Sequence, residues 1–402
     1  MAALVDTVPI VPLRQTCREN YLVFGAPSIE EADIAAVADT LRSGLIGTGP
    51  RTAEFERAFA EYVGVRHAVA VSSCTAGLHL SLVAAGIGPG DDVVVPAMTF
   101  VGTANAVLHA GATPQLCDVD PATGNLRVED VDRVRTPRTR AIIPVHFAGR
   151  PADLSALSVY AREHGLTIIN DAAHAIEATH RGRGIAQFGA LTAYSFHAAK
   201  NLTTAEGGMV ATSDAGLAER VRRLSLHGLA ADAWTREAGI GFRHYEAVEA
   251  GFKYNMTDLQ ASLGLRQLAR IEQMNRRRRA IWNRYDEALA GLPLQRPAPV
   301  PLGDRHALHL YTVLLDLDAL AVDRDAIAIA LHEAQIGTGV HYRGVHLQPM
   351  YRERLGYDAS DFPNATMISE RTLSLPLSAA MTDRDADDVI ATFASLLQHF
   401  RS

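Results

Sequence analysis

Apolar residues along this chain follow two spacings. In "TAEFERAFAEYVGV" (52–65) they recur three and four residues apart, which predicts an amphipathic helix. The following stretch, "HAVAVSSCTAGLHLSLVAAGI" (67–87), runs from a short apolar strand through a Ser-rich turn into a helix. Then come short, nearly continuous apolar runs, "DDVVVPA", "TPQLCDVD", "RAIIPVHFAG", "LTIINDAA", "LTAYSF" and "GGMVAT", separated by helical patterns. Uninterrupted apolar runs belong to strands buried on both faces, so the alternation predicts an α/β fold with a mostly parallel sheet flanked by helices. From about Asn275 the texture changes to Arg-rich helical pattern, then "HLYTVLLDL" and "IGTGVHY" alternating with helices up to the closing "DRDADDVIATFASLLQHF". The expected organisation is a large α/β domain over 1–274, entered through an extended Pro-containing segment, and a smaller C-terminal α+β domain over 275–402. The Pro-rich "LPLQRPAPVPLGDRHA" reads as a surface connection within the latter. There is no internal repeat or low-complexity tract.

Composition narrows the classes of function. Hydrophobic content of 48% and charged content of 21% are ordinary for a folded globular chain, and the net charge is -7. The one basic run, Arg276 to Arg279, lacks the interleaved aromatics of a nucleic-acid binder and reads as a solvated helix face or a subunit contact. Cys17, Cys74 and Cys117 form no CxxC pair, which suits a reducing cytoplasm. The N-terminus has no basic region followed by a sustained apolar run, and no segment reaches about 18 uninterrupted apolar residues. A cytoplasmic protein, neither exported nor inserted in a membrane, is expected.

Lysine is the informative residue. Only Lys200 and Lys253 occur, so 36 of the 38 Lys and Arg residues are Arg. An ammonium can lose its proton when buried and attack a carbonyl, whereas a guanidinium stays charged. Lys200 stands in "TAYSFHAAKNLTTAEGG", just past a strand, and ligands of parallel sheets sit beyond the carboxyl ends of strands. Other reactive residues fall at the same ends. In "SSCTAG" a strand gives way to a helix, and the backbone N–H groups near Thr75 and Ala76 suit an anion, although a Ser or Thr cap would read the same way. Asp171 ends "LTIIN" and needs a cationic or hydrogen-bonding partner, with His174 three residues on; a helix cap with a satisfied histidine, or a metal pair, are the other readings. Ser195 precedes Lys200 by five residues. A hydroxyl, a helix start, a carboxylate and an amine together match pyridoxal 5'-phosphate: phosphate, ring nitrogen and aldehyde each find a partner, the last as a Schiff base with Lys200.

The order of the motifs "SGLIGTGP", "SCTAGLHLSL", "VVVPAMTFVGTANAV", "NDAAHA", "SFHAAKNLTTAEGG", "YNMTDLQASLG" and "HLYTV" resembles the DegT/DnrJ/EryC1/StrS family of pyridoxal-phosphate-dependent sugar aminotransferases, from about Leu22 to the C-terminus. The resemblance implies a type I aminotransferase fold and a set of roles. Phe100 would stack on the cofactor ring, Asp171 would hold the ring-nitrogen proton, and His174 would lie beside the phenolic oxygen. Ser195 and the backbone at Thr75 and Ala76 would bind phosphate, and Asn255 would do so from the neighbouring subunit, making the enzyme a homodimer with shared sites. Lys200 would hold the cofactor as an internal aldimine and then act as general base. Ala199 and Ala205 depart from the Thr and Gly of many relatives, at positions with no assigned role.

The segment "ADAWTREAGIGFRHYEAVEAGF" is expected to form a substrate-side loop whose Arg236 and Arg243 grip a nucleotide diphosphate, and Tyr342, Arg343 and His346 invite the same assignment. The leading expectation is transfer of an amino group from L-glutamate, by way of pyridoxamine phosphate, to a nucleotide-diphosphate keto-deoxysugar. His174, rather than Gln, resembles members that aminate carbon 4 of a 4-keto-6-deoxyhexose. A keto-cyclitol of the scyllo-inosose type is an alternative acceptor. Dehydratase relatives resemble this chain but with His in place of Lys200, a non-catalytic pyridoxal-phosphate sensor would have lost one of Asp171, Lys200 or Asn255, and no HExxH or comparable set supports a metal hydrolase.

Overall fold

The computed structural model of the protein describes residues 18–229 and 245–402. The Pro-containing N-terminal stretch and Cys17 lie outside the described residues. Helices α1 (Glu31–Ser43) and α2 (Pro50–Val63) come first. On α2 the spacing seen in the sequence becomes a buried face of Phe55, Phe59 and Val63, and Gly64 ends the helix in the left-handed region at φ 75°. The chain then alternates through β1 (His67–Val71), α3 (Cys74–Ala84), β2 (Asp92–Pro96), α4 (Val101–His109), β3 (Thr113–Cys117), α5 (Val128–Val134), β4 (Thr139–Ile142), α6 (Leu154–Glu163) and β5 (Thr167–Asp171). A two-residue ladder, β6 (Thr179–His180) with β7 (Arg183–Gly184), precedes β8 (Leu191–Ser195), β9 (Gly208–Thr212) and α7 (Ala215–Ser225).

The seven-stranded sheet has the order β1-β9-β8-β5-β4-β2-β3. Its strands pair in parallel except β9, which is antiparallel to both β1 and β8. No helix lies between β8 and β9, so β9 returns against β8 without a crossover, and the connecting loop with Lys200 stays at the carboxyl end of β8. Asp171 at the end of β5 and the start of α3 after β1 stand at this same end, which is why residues remote in sequence converge.

The remainder comprises α8 (Asp258–Ala269), α9 (Ile271–Ala288), β10 (Leu294–Gln295), β11 (Tyr311–Leu315), α10 (Arg324–Glu333), α11 (Pro349–Leu355), α12 (Pro363–Arg371), β12 (Thr372–Leu375) and α13 (Asp383–His399). Strands β10, β11 and β12 form an antiparallel sheet of their own. Asn275, where the sequence texture changes, sits inside the continuous helix α9. Ile271 and Met274 pack with Phe55 and Tyr194, whereas Ile281, Trp282 and Tyr285 pack with Val313 and Phe393. Not all of the C-terminal segment follows the second core: Tyr351, Phe362, Ala365 and Ile368, on or beside α11 and α12, join the core of the large sheet.

Two sequence expectations are corrected. The Arg276–Arg279 run is not a uniformly solvated face. Arg278 is only 5% exposed because it shares the inward stripe of α9 with Met274 and Trp282, one helical turn away on either side. The Pro-rich connection also dives inward at its end. Arg305 pairs with Glu272 at 2.7 Å and its backbone bridges Thr179, which draws His306 and Ala307 into the interior. Among the described residues no helix is long and apolar enough to cross a membrane.

Candidate active site

A cavity of about 400 Å³ opens at the carboxyl ends of β1, β5 and β8. Of the residues singled out in the sequence, Thr75, Phe100, Asp171, His174, Ser195, Lys200 and Tyr342 line it. Ala76, Asn255, Arg343 and His346 do not, and Arg236 and Arg243 lie outside the described residues.

Asp171 is buried and has no ion-pair partner among the described residues. Its Oδ2 accepts the Thr103 hydroxyl at 2.8 Å and its Oδ1 accepts the Ala173 N–H at 3.1 Å, with the Cys74 thiol 3.9 Å away. Because Thr103 spends its proton on Asp171, it accepts from Thr99 at 2.8 Å. Burial pushes the Asp171 pKa up and these hydrogen bonds offset part of that rise. Such a carboxyl suits a ligand that brings a proton or positive charge.

Lys200 faces the same cavity. Burial pulls its ammonium down to about 8, against the opposing influence of Cys74 and Asp171. At neutral pH a usable fraction of the amine is therefore neutral. The Nζ lies 3.5 Å from His309 Nε2.

The two histidines beside it hang from one residue. Ala148 adopts φ 57°, a left-handed conformation that costs a non-glycine residue about 1 kcal/mol or more. Its N–H donates to His174 Nδ1 at 3.2 Å, and its carbonyl accepts from the His309 N–H at 3.2 Å. With Nδ1 an acceptor, His174 carries its proton on Nε2 and donates it to the Tyr342 hydroxyl at 2.9 Å. The His174 and His309 rings lie 4.5 Å apart, and burial followed by the charge of Lys200 holds both far below the usual histidine range.

At the start of α3, Ser73 caps the helix by accepting the Ala76 N–H at 3.0 Å. The cap engages Ala76, so an anion arriving there would meet Thr75 first. Close approach is built in: a Cβ on Gly102 would lie 2.9 Å from Thr75 Oγ1, and one on Gly208 2.5 Å from the Ser73 carbonyl carbon. Ser195 is buried at the end of β8. Phe100 caps α4 with its side chain 58% exposed, 6.0 Å from the Tyr342 ring.

The excluded residues have other partners. Asn255 donates to Thr48 at 2.6 Å and accepts from Lys253 at 2.6 Å, so the second lysine is occupied outside the cavity. Arg343 donates to the Leu347 carbonyl at 3.3 Å. His346 is fully buried, bonded to Thr366 at 2.9 Å and packed on Phe362, and it does not line the cavity. Sequence reasoning missed Thr103, Ala148, Asn201 and His309. Only the last two carried a signal, Asn201 as the neighbour of Lys200 and His309 as the first residue of "HLYTV".

The sequence pattern of the DegT/DnrJ/EryC1/StrS aminotransferase family matches residues 27–394. The chain belongs to that family. Among curated relatives, the spore coat polysaccharide biosynthesis protein SpsC of Bacillus subtilis (strain 168) is 45% identical over 382 residues, 95% of this chain and 98% of that protein. Among solved structures, the putative sugar aminotransferase Spr1654 from Streptococcus pneumoniae in its PMP form superposes with a TM-score of 0.88 at 34% identity, covering 94% of this chain and 98% of that one. The aminotransferase TlmJ from Streptoalloteichus hindustanus gives 0.86 at 38% identity, covering 94% and 99%. The protein is a pyridoxal-phosphate-dependent aminotransferase with the fold of that family. The cavity fits the cofactor on its own terms. Its volume is that of a small-ligand site, and it sets a buried carboxyl with no ion pair among the described residues, a lysine with a lowered pKa and a helix start around one space.

The buried histidines give the family member a testable acid lability. Desolvation holds His146, His306 and His341 near pKa 3, against about 6.5 in the unfolded chain. A folded pKa below the unfolded one means that the unfolded state takes up protons first, so stability is full above about pH 6.5 and is lost as pH falls toward 3. Each should cost about 2 kcal/mol by pH 5. Thermal-unfolding midpoints of the cofactor-free protein should drop steeply between pH 7 and 5; a flat profile would show that these side chains hydrate on protonation.

Proposed function

We propose that the enzyme transfers an amino group from L-glutamate to carbon 4 of a nucleotide-diphosphate 4-keto-6-deoxyhexose. The observation that carries the reading is the amine of Lys200 on the wall of a cavity that also holds Asp171. When bound, the cofactor supplies an aldehyde to link to an amine and a ring that accepts electrons from the carbon losing its proton. Asp171 holds the proton of the ring nitrogen. Lys200 Nζ would take the proton from the donor's alpha carbon as general base and would deliver one to the sugar carbon that receives nitrogen. Phe100 and His174 confine the ring. Thr75 and Ser195 would hold the phosphate, with Asn255 of a second copy completing the set in a homodimer; Asn255 does not line its own chain's cavity.

Support for a sugar acceptor comes from the relatives' descriptions, one in spore coat polysaccharide biosynthesis and one a putative sugar aminotransferase. The choice of carbon 4 rests on His174 in "DAAHA", as the family resemblance implies. The test is the absorption spectrum of the cofactor-loaded protein before and after L-glutamate. The visible band of lysine-bound cofactor should give way to the near-ultraviolet band of pyridoxamine phosphate, and nucleotide-linked 4-keto sugars should restore the visible band. A visible band unmoved by glutamate would overturn the donor, and restoration by keto-cyclitols in preference to nucleotide sugars would overturn the acceptor.

A further inference from the structure

Beside Lys200, starting at His309, lies a line of buried polar groups that the proposed reaction does not use. Asn201 Nδ2 donates to both carboxylate oxygens of Glu177, at 3.0 and 2.9 Å, and to the Ala307 carbonyl at 2.8 Å. Three acceptors on one side fix the amide's orientation, because the reverse would set its oxygen against a carboxylate. Glu177 is itself buried beside the Arg278 guanidinium at 3.8 Å, and Arg278 also donates to the Asn201 carbonyl at 3.1 Å. Asn201 Oδ1 therefore points at His309 Nδ1, 3.0 Å away, and being an acceptor it requires the proton of that ring to sit on Nδ1. Nε2 is left with its lone pair toward Lys200 Nζ. This is the buried Arg of the basic run, and here it has a use.

We propose that His309, set in one tautomer by Asn201, Glu177 and Arg278, is a positioning residue for the reacting amine: its Nε2 accepts one N–H of Lys200 and thereby aims the amine's lone pair into the cavity. The inference rests on Lys200 being the amine that links to the cofactor. A neutral imidazole can accept from the ammonium and from the neutral amine alike, so the aim is kept while Lys200 gains and loses its proton. Burial supports this role, since the imidazole stays uncharged through the working range.

The experiment uses the scarcity of lysine. Trace acetylation of the cofactor-free protein from pH 6 to 10, read by mass spectrometry, reports Lys200 with Lys253 as the internal reference. His309→Phe keeps a ring against His174 but removes the acceptor; His309→Gln can return an acceptor oxygen toward Nζ. The other titratable groups around the amine, Asp171, Cys74, His174 and His341, stay in place. Wild-type Lys200 should titrate at about 8. In His309→Phe it should titrate about one unit lower, because a buried ammonium loses an acceptor. In the loaded protein the glutamate half-reaction should slow about a hundredfold with little change in the donor concentration at half-saturation, and His309→Gln should recover most of both effects. If His309→Phe leaves the Lys200 titration and the half-reaction within about twofold of wild type, or if both variants lose rate in step with thermal stability while Lys200 titrates unchanged, His309 is a packing residue and the proposal falls. Borohydride reduction of the loaded protein separates the two readings: cofactor trapped on any residue but Lys200 overturns the assignment of the amine itself.

Discussion

Replacing Lys200 by Ala should cut transamination by about 10⁴-fold or more while leaving the fold in place. The side chain has two tasks in the proposed reaction, linking to the cofactor and moving the proton, and Lys200 is the one lysine among the described residues that line the cavity. The nearest candidates are His174, engaged between Ala148 and Tyr342, and His309, whose Nε2 loses its partner in this variant; neither imidazole carries the primary amine that links to an aldehyde. Lys200→Arg should be equally inactive, since a guanidinium keeps its proton. The structural cost is small because the ammonium is destabilised by its burial, so its removal takes away a strained group rather than a supporting one. The measurement is single-turnover conversion with L-glutamate, alongside a thermal-unfolding midpoint that should not fall. The same variant tests the shared site. A Lys200→Ala subunit still offers Asn255, and an Asn255→Ala subunit still offers Lys200. In a twofold dimer with random exchange of equal amounts, about a quarter of the sites would be intact. Activity recovered on mixing two inactive proteins is the expected result; none, after exchange is demonstrated, would mean that Asn255 does not act across subunits.

How legible this site is in the sequence depends on where each residue stands. Lys200, Asp171, Ser195 and Thr75 are legible because each ends a strand, opens a helix or lies on the loop just past a strand, and parallel-sheet topology sends all such ends to one edge. Their convergence follows from strand order, with no need for side-chain detail. The interior positions of Arg278 and His346 are hidden for the opposite reason. Arginine is mostly exposed in proteins and histidine is found on either side, so only the helical phase of α9, or the seat of His346 against Phe362, shows that they are interior. His309 and Ala148 were beyond reach. His309 is 109 residues from the lysine it touches, and the left-handed turn at Ala148 occupies a position where the sequence shows no glycine to announce it. Pairwise contacts of that kind depend on how the segment between α9 and β11 folds back toward β6, through Arg305 and Thr179, and no local pattern encodes that return.

Asp171→Asn is expected to separate stability from catalysis. Its half-reaction should fall by about 10²–10³-fold, the usual consequence of removing one preorganised electrostatic partner. Asn is nearly the same shape and can keep the local network by reversing it. Its oxygen can still accept the Ala173 N–H, its amide can donate to Thr103, and Thr103 can then turn its proton to Thr99. What Asn cannot do is stabilise a proton on the cofactor's ring nitrogen, and without that proton the ring is a poorer acceptor of electrons. The stability effect has the opposite sign. A carboxyl whose folded pKa is raised is costly to ionise: the cost grows as pH rises through about 3.9 and is fully present above the raised folded value. Asn carries none of it, so the cofactor-free variant should unfold at the same temperature as wild type or higher at pH 7. Wild type should regain the difference when cofactor is added, because only its carboxylate gains a cationic partner. Thermal midpoints of both proteins with and without pyridoxal phosphate give the answer directly. If the cofactor stabilises Asp171→Asn as much as wild type and the half-reaction keeps its rate, then the buried carboxyl serves the fold of the strand end, and the ring nitrogen must find its partner elsewhere.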